Sequence, residues 1–177
     1  MKLLRHPVTW IAVAAVFGVA MYLFQPWRLF TTVEVNEPLP EVAVAASPSA
    51  TPTSAPRAAV RAPAPEVLLS GRFVTHEHRT SGVAKVLRLP DGSRVLRIEN
   101  LATSDGPDLR VWLSDQPVTD SWHNFDDGEY LELGDLKGNK GNANYPIPAA
   151  AELDRLTSVS IWCKRFSVSF GAAALTR

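Results

Sequence analysis

The sequence predicts an all-β domain, a β-sandwich or barrel-like fold, behind a single N-terminal transmembrane helix and a disordered linker. Three observations carry this prediction. An uncharged apolar run lies near the N-terminus, a proline-rich stretch follows it, and beyond Glu66 short Val-, Leu- and Phe-rich runs alternate with turn residues. The chain divides accordingly into a cytoplasmic stub and anchor over 1–30, a linker over 31–65 and a β domain over 66–177.

From Val8 to Phe24 the chain reads VTWIAVAAVFGVAMYLF. At ~1.5 Å per residue this run covers roughly 26 Å, close to a hydrocarbon thickness of ~30 Å once Gln25 to Trp27 extend it. Trp10, Tyr22 and Trp27 stand near its ends, where amphipathic rings prefer the interface. Lys2 and Arg5 precede the run, whereas Arg28 is followed by Glu34 and Glu37, so the N-terminus is placed in the cytoplasm and the C-terminal domain outside it. The run is long for the apolar region of a cleaved leader. Phe24, Gln25, Pro26 and Trp27 also make a poor cleavage site, which favours an uncleaved anchor in the cell membrane.

Between Asn36 and Pro65 the composition narrows to Pro, Ala, Val, Ser and Thr, with prolines at 38, 40, 48, 52, 56, 63 and 65. Each proline removes a donor and fixes φ, so neither helix nor sheet is expected to propagate. As a semi-extended spacer the stretch would reach at most ~90 Å.

In the domain, Val67–Thr75 and Val83–Leu89 read as strands, and Pro90-Asp91-Gly92-Ser93 as a turn into a strand over Arg94–Glu99. Leu109, Val111 and Leu113 share one face of the next strand, with Arg110 and Trp112 opposite. Further strands are expected at Tyr130–Leu133, around Tyr145–Ile147, at Ser158–Cys163 and at Phe166–Phe170, with a helical turn or short helix in Ala149–Leu156. In the Ser158–Cys163 strand, Val159, Ile161 and Cys163 face one way and Ser160 and Trp162 the other. The apolar set then resumes at Phe166, out of step by one. Lys164-Arg165 is poor chemistry for a two-residue hairpin, so a β-bulge just after Cys163 is expected, with the thiol at the rim of the core.

The domain carries 13 basic and 15 acidic residues, a balance that argues against nucleic acid as a partner. Cys163 is the only cysteine, so no disulfide closes within one chain. An unpaired thiol is either a small buried hydrophobe or a group in use, as a thiolate ligand or a redox thiol. His76 and His78 flank Glu77; on an extended strand both imidazoles would face one way and share a metal ion, with Cys163, His123 or Asp108 as a third ligand. The acidic Asp126–Glu129 loop lacks Ca²⁺-loop spacing and reads as a solvated turn.

Several stretches in one order give the domain a wider likeness. They are Gly71-Arg72-Phe73, HRTSG over 78–82, LPDGSRVL over 89–96, GPDL over 106–109, VWLS over 111–114, LGDLKG over 133–138, GNANY over 141–145, VSIWCKRF over 159–166 and FGA over 170–172. Over residues 66–176 the chain resembles the DM-thirteen domain family. The resemblance implies an all-β fold and a redox or electron-transfer role. The family's signature cysteine falls on Cys163, as a free thiol or as the holder of a prosthetic group such as haem, and His78 and Trp162 fall within its matching motifs. Where the family often has Phe after Glu-Asn, this chain has Leu101. With no DOMON or cytochrome module read in these residues, the redox partner is expected to be a separate protein.

Two functional expectations follow. One is a membrane-anchored extracytoplasmic redox module centred on Cys163, with haem or a metal ion as candidate cofactor and Asp108 and Trp162 nearby. The other is a non-catalytic, tethered binding module for an envelope protein or polysaccharide, with Trp112 and Trp122 as contact residues if exposed.

Overall fold

The structure, a computed structural model, describes residues 7–40 and 64–177. Pro7–Phe24 forms one helix, α1, with no buried residue, and it is long and apolar enough to cross a membrane. Two short 3-10 turns, Pro26–Phe30 and Asn124–Asp126, accompany the strands of the described residues: β1 (Glu34–Asn36), β2 (Glu66–Arg72), β3 (Val74–Thr75), β4 (Ser81–Arg88), β5 (Arg94–Ala102), β6 (Leu109–Ser114), β7 (Tyr130–Asp135), β8 (Lys140–Ile147), β9 (Ser158–Cys163) and β10 (Val168–Ala174).

The strands form two five-stranded sheets, ordered β1-β8-β5-β4-β2 and β3-β10-β9-β6-β7. Every pairing is antiparallel except β1 with β8. The two inner faces share one core. Val86, Leu96, Ile98 and Tyr145 come from the first sheet, and Val111, Leu113, Val159, Ile161 and Cys163 from the second. Burying each large aliphatic side chain contributes about 1.5–3 kcal/mol, so this shared layer is what makes the domain a sandwich.

The predicted first strand divides in two. Val67–Thr75 breaks at Phe73, which sends β2 to one sheet and β3 to the other; the Phe73 N–H donates to Gly82 O at 3.0 Å. The β4–β5 turn is the expected one: Asp91 Oδ1 accepts from the Ser93 N–H at 2.9 Å and hydroxyl at 2.6 Å, and Gly92 takes the left-handed φ of 83°. Ala149–Leu156 gives only single turns, including Leu156 N–H to Glu152 O at 3.2 Å.

Two expectations are corrected. The linker was expected over 31–65, but Glu34, Val35 and Asn36 pair with Lys140, Gly141 and Asn142, so this part belongs to the sheet; residues 41–63 lie outside those described. The strand is held by groups distant in sequence. Asn139 Oδ1 accepts from the Val33 N–H at 2.7 Å, Arg97 donates to Glu37 O at 2.7 Å, and Asn144 Nδ2 donates to Pro38 O at 2.8 Å. The expected bulge beside Cys163 is instead a hairpin. Lys164–Ser167 turns β9 into β10, with Ser167 at φ 49°, and the register shift lies further on, between Ser169 and Gly171. A four-residue loop does not need the Gly or Asn that a two-residue one demands.

Candidate functional site

β9 lies between β6 and β10, so its whole length is buried and its alternation sorts side chains between two layers. Cys163 points inward. Its cross-strand neighbours are Leu109 and Val168, and it is 0% exposed, inside the core rather than at its rim. Burial pushes its thiol pKa up. The backbone N–H groups of Phe166 and Arg165 work against this, the Asp108 carboxylate adds to it, and the Asp108 backbone opposes it. At neutral pH the group is therefore a protonated thiol.

Asp108 is the one predicted companion that the fold brings beside Cys163. Its carbonyl accepts from the Lys164 N–H at 2.9 Å, closing the end of the β9–β10 hairpin, while its carboxylate takes the Arg110 Nε–H at 2.8 Å. Arg110 also pairs with Glu132 at 3.3 Å and with Asp135.

Trp162 points the other way, into a second, smaller cluster with Trp112, Phe125 and Ala172 on the outer face of the sheet. Its ring stacks on Trp112 at 4.9 Å between centroids, and Trp112 stacks in turn on the half-exposed Tyr130 at 3.9 Å and 7°. Trp112 is thus a buried packing residue and not a surface contact, because its outer face is roofed by Tyr130 and the 115–128 segment. Trp122 is exposed, as a binding surface would want.

The His-x-His pair does not form the expected two-toothed arrangement. β3 ends at Thr75 and the chain bends over residues 76–78, so the period-two geometry stops before the histidines. His76 is buried in the outer layer, with its ring 5.8 Å from Phe125 and Nδ1 3.0 Å from Ser169 Oγ. His78 lies instead on the ring of Phe170, a core residue, at 3.9 Å. Burial lowers both imidazole pKa values, opposed at His76 by the Thr119 carbonyl and Asp120 and at His78 by Glu77. His123, the other proposed ligand, is exposed and bonded through Nδ1 to Ser167 O at 2.8 Å. Among the described residues no group of three or more His, Cys, Asp or Glu side chains could hold a metal ion.

One arrangement had no signal in the sequence. Ser160 Oγ, Ser169 Oγ and His76 Nδ1 form a buried chain with 3.0 Å steps, and among the described residues no group stands within hydrogen-bond geometry of His76 Nε2. His76 also lines a cleft of about 500 Å³ with Val118, Asp120 and Trp122. Ser160 was legible only as a small residue on the face of Trp162, because its bond to Ser169 depends on the register between β9 and β10.

Compared with known proteins, residues 72–175 match the family described as electron transfer DM13, over more than half of the chain. No curated protein and no solved structure matches it. The two-sheet domain, with its single inward-facing cysteine on β9, is therefore placed: the chain belongs to the electron transfer DM13 family.

Proposed function

We propose that this chain is a membrane-anchored, extracytoplasmic electron-transfer module in which Cys163 acts as a bare thiol beneath the hairpin turn that follows β9. The carrying observation is the position of the sulfur. It is sealed, yet its cover at the end of the strand is the hairpin turn Lys164–Ser167, every residue of which is exposed. The family description supports the redox character, and the apolar length of α1 with Lys2 and Arg5 before it supports the anchor and its orientation.

Haem and metal ions do not fit the residues that the structure describes around Cys163 and the two histidines. Cys163 has no open side, and the two histidines are packed on rings in different layers. The chemistry of a bare thiol is exchange. Once the turn lifts and the sulfur loses its proton to solvent, the thiolate attacks a disulfide of a partner protein. One S–S bond forms as the partner's breaks, and the partner's departing thiolate takes up a proton. A dithiol of a second, reducing partner completes the transfer: one of its thiolates attacks the Cys163 sulfur and releases the first partner's remaining thiolate, and its other thiolate then displaces Cys163 as the second partner's disulfide closes, so two electrons and two protons pass from the dithiol to the first partner's disulfide. The backbone N–H groups of Phe166 and Arg165 would favour the thiolate as it forms.

A second reading is a non-catalytic binding module, favoured by the sealed sulfur and by the cleft beside the exposed Trp122. Thiol labelling of the full chain in detergent separates the two. Local opening of the turn predicts slow labelling under native conditions, independent of mild denaturant and faster in Phe166→Ala, with Cys163→Ala unlabelled. Labelling that tracks global unfolding in every variant removes the redox reading and leaves the binding one.

A further inference from the structure

The end of the sandwich that carries Cys163 is also the end at which α1 arrives, and the two are joined by more than chain continuity. Arg165 Nη1 donates to the Tyr22 and Leu23 carbonyls at 3.3 and 2.9 Å. These are unsatisfied C-terminal carbonyls of a helix, where a guanidinium is favoured by both hydrogen bonding and the helix dipole. The next residue, Phe166, stacks on Phe24, the last residue of α1, with centroids 5.5 Å apart.

The short turn Pro26–Phe30 adds a second attachment. Arg28 Nη1 donates to Gly106 O at 2.9 Å and pairs with Asp105 at 3.6 Å, and the Thr31 hydroxyl donates to Asp105 at 2.5 Å. Three residues later β1 joins the sheet. No free joint therefore separates the helix from the domain. Around this junction Phe24, Trp27, Phe30 and Phe166 are exposed, Phe30 by 88%. A group stacked on the last residue of a membrane-spanning helix sits at the boundary of the bilayer, where aromatic rings are favoured.

We infer that this end of the domain rests on the bilayer surface, with Phe166, Trp27 and Phe30 in the headgroup region, and is not suspended from it on a tether. The inference rests on the reading of α1 as a membrane anchor. The occupant of the aromatic patch is the lipid interface into which α1 itself leads.

The test uses the full chain carrying Cys163→Ala, reconstituted in phosphatidylcholine–phosphatidylglycerol vesicles. A nitroxide is attached at Ser167→Cys, Thr32→Cys or, at the far end, Ala150→Cys. Paramagnetic saturation then compares accessibility to oxygen, which enriches in lipid, with that to a water-soluble nickel chelate. Labels at 167 and 32 are expected to show nickel accessibility several-fold below that at 150, and Phe166→Asp is expected to raise it at 167. Equal nickel accessibility at 167 and 150, in a chain that stays in carbonate-washed membranes, overturns the docking alone. A chain released by carbonate overturns the anchor, and the docking with it.

Discussion

At the scale of residues, burial decides what each ionisable group of the candidate site is able to do. The lone thiol is held protonated and the two imidazoles neutral for the same reason, loss of hydration of the charged form. For the histidines this sets a sign. Both folded pKa values lie below the ordinary 6.5, so the stability they confer is complete above that pH and is lost as pH falls through the depressed values. Asp120 and Glu77 reduce the effect without reversing it. Acidification below about 6.5 should therefore loosen the outer layer before the core, because His76 packs on Phe125, which packs edge-on against Trp162. Tryptophan fluorescence followed against pH should show this step in the native chain, and His76→Gln with His78→Gln should abolish it. The parity of β9 was legible at this scale: alternation alone sends Cys163 inward and Trp162 outward, as the two clusters show. The surroundings of each group were not legible, since they come from β6, β10 and the 115–128 segment, whose placement follows from register.

At the scale of elements, the strands that could be read were those that carry their own signal, six or more residues with period-two alternation such as β5, β6 and β9. β1 is three residues long and carries none. Its stability is supplied by Asn139, Asn144 and Arg97, separated from it by 60 to 107 positions, so no local reading of the proline-rich stretch could find it. The segment leading into the partner strand does hold a mark of it in Gly138, which has no unusual φ. A Cβ there would stand 2.6 Å from Val33 O and 2.8 Å from Val35 Cγ2, so only the absent side chain lets β1 approach. Gly138→Val should expel β1 while leaving the β5–β8 pairing intact. Hydrogen exchange checks this. The Glu37 amide, which donates to Asn142 O at 2.9 Å, should lose protection by an order of magnitude or more, against little change in β5. Retained protection at Glu37 would mean that the valine is accommodated and the close approach has no consequence.

At the scale of the whole molecule, β1 changes where the domain begins. The match to the family spans 72–175, and the composition puts the boundary at 66, yet the sheet is completed by residues 34–36. Those residues cover groups that would otherwise be costly. Arg97 and Asn144 are buried and spend their donors on the carbonyls of Glu37 and Pro38, while the Glu37 carboxylate takes Lys137 Nζ and the Asn144 N–H, both at 2.7 Å. The Lys137 contact is the main cause that holds the Glu37 pKa below its usual value. A fragment beginning at residue 64 leaves the β8 edge open and these donors to water. With roughly 1–3 kcal/mol attached to each hydrogen bond involving a charged or newly unpaired buried group, and partial recovery by hydration, it should lose about 2–4 kcal/mol relative to a fragment beginning at residue 31. Neither fragment contains α1, so urea unfolding of both in solution isolates the strand. The difference should shrink as pH falls through the depressed Glu37 pKa, because protonation removes the Lys137 pair from the longer fragment alone. Equal midpoints at neutral pH would show that β1 adds nothing to stability; the domain would then begin at β2, and the segment after α1 would be free to act as a tether.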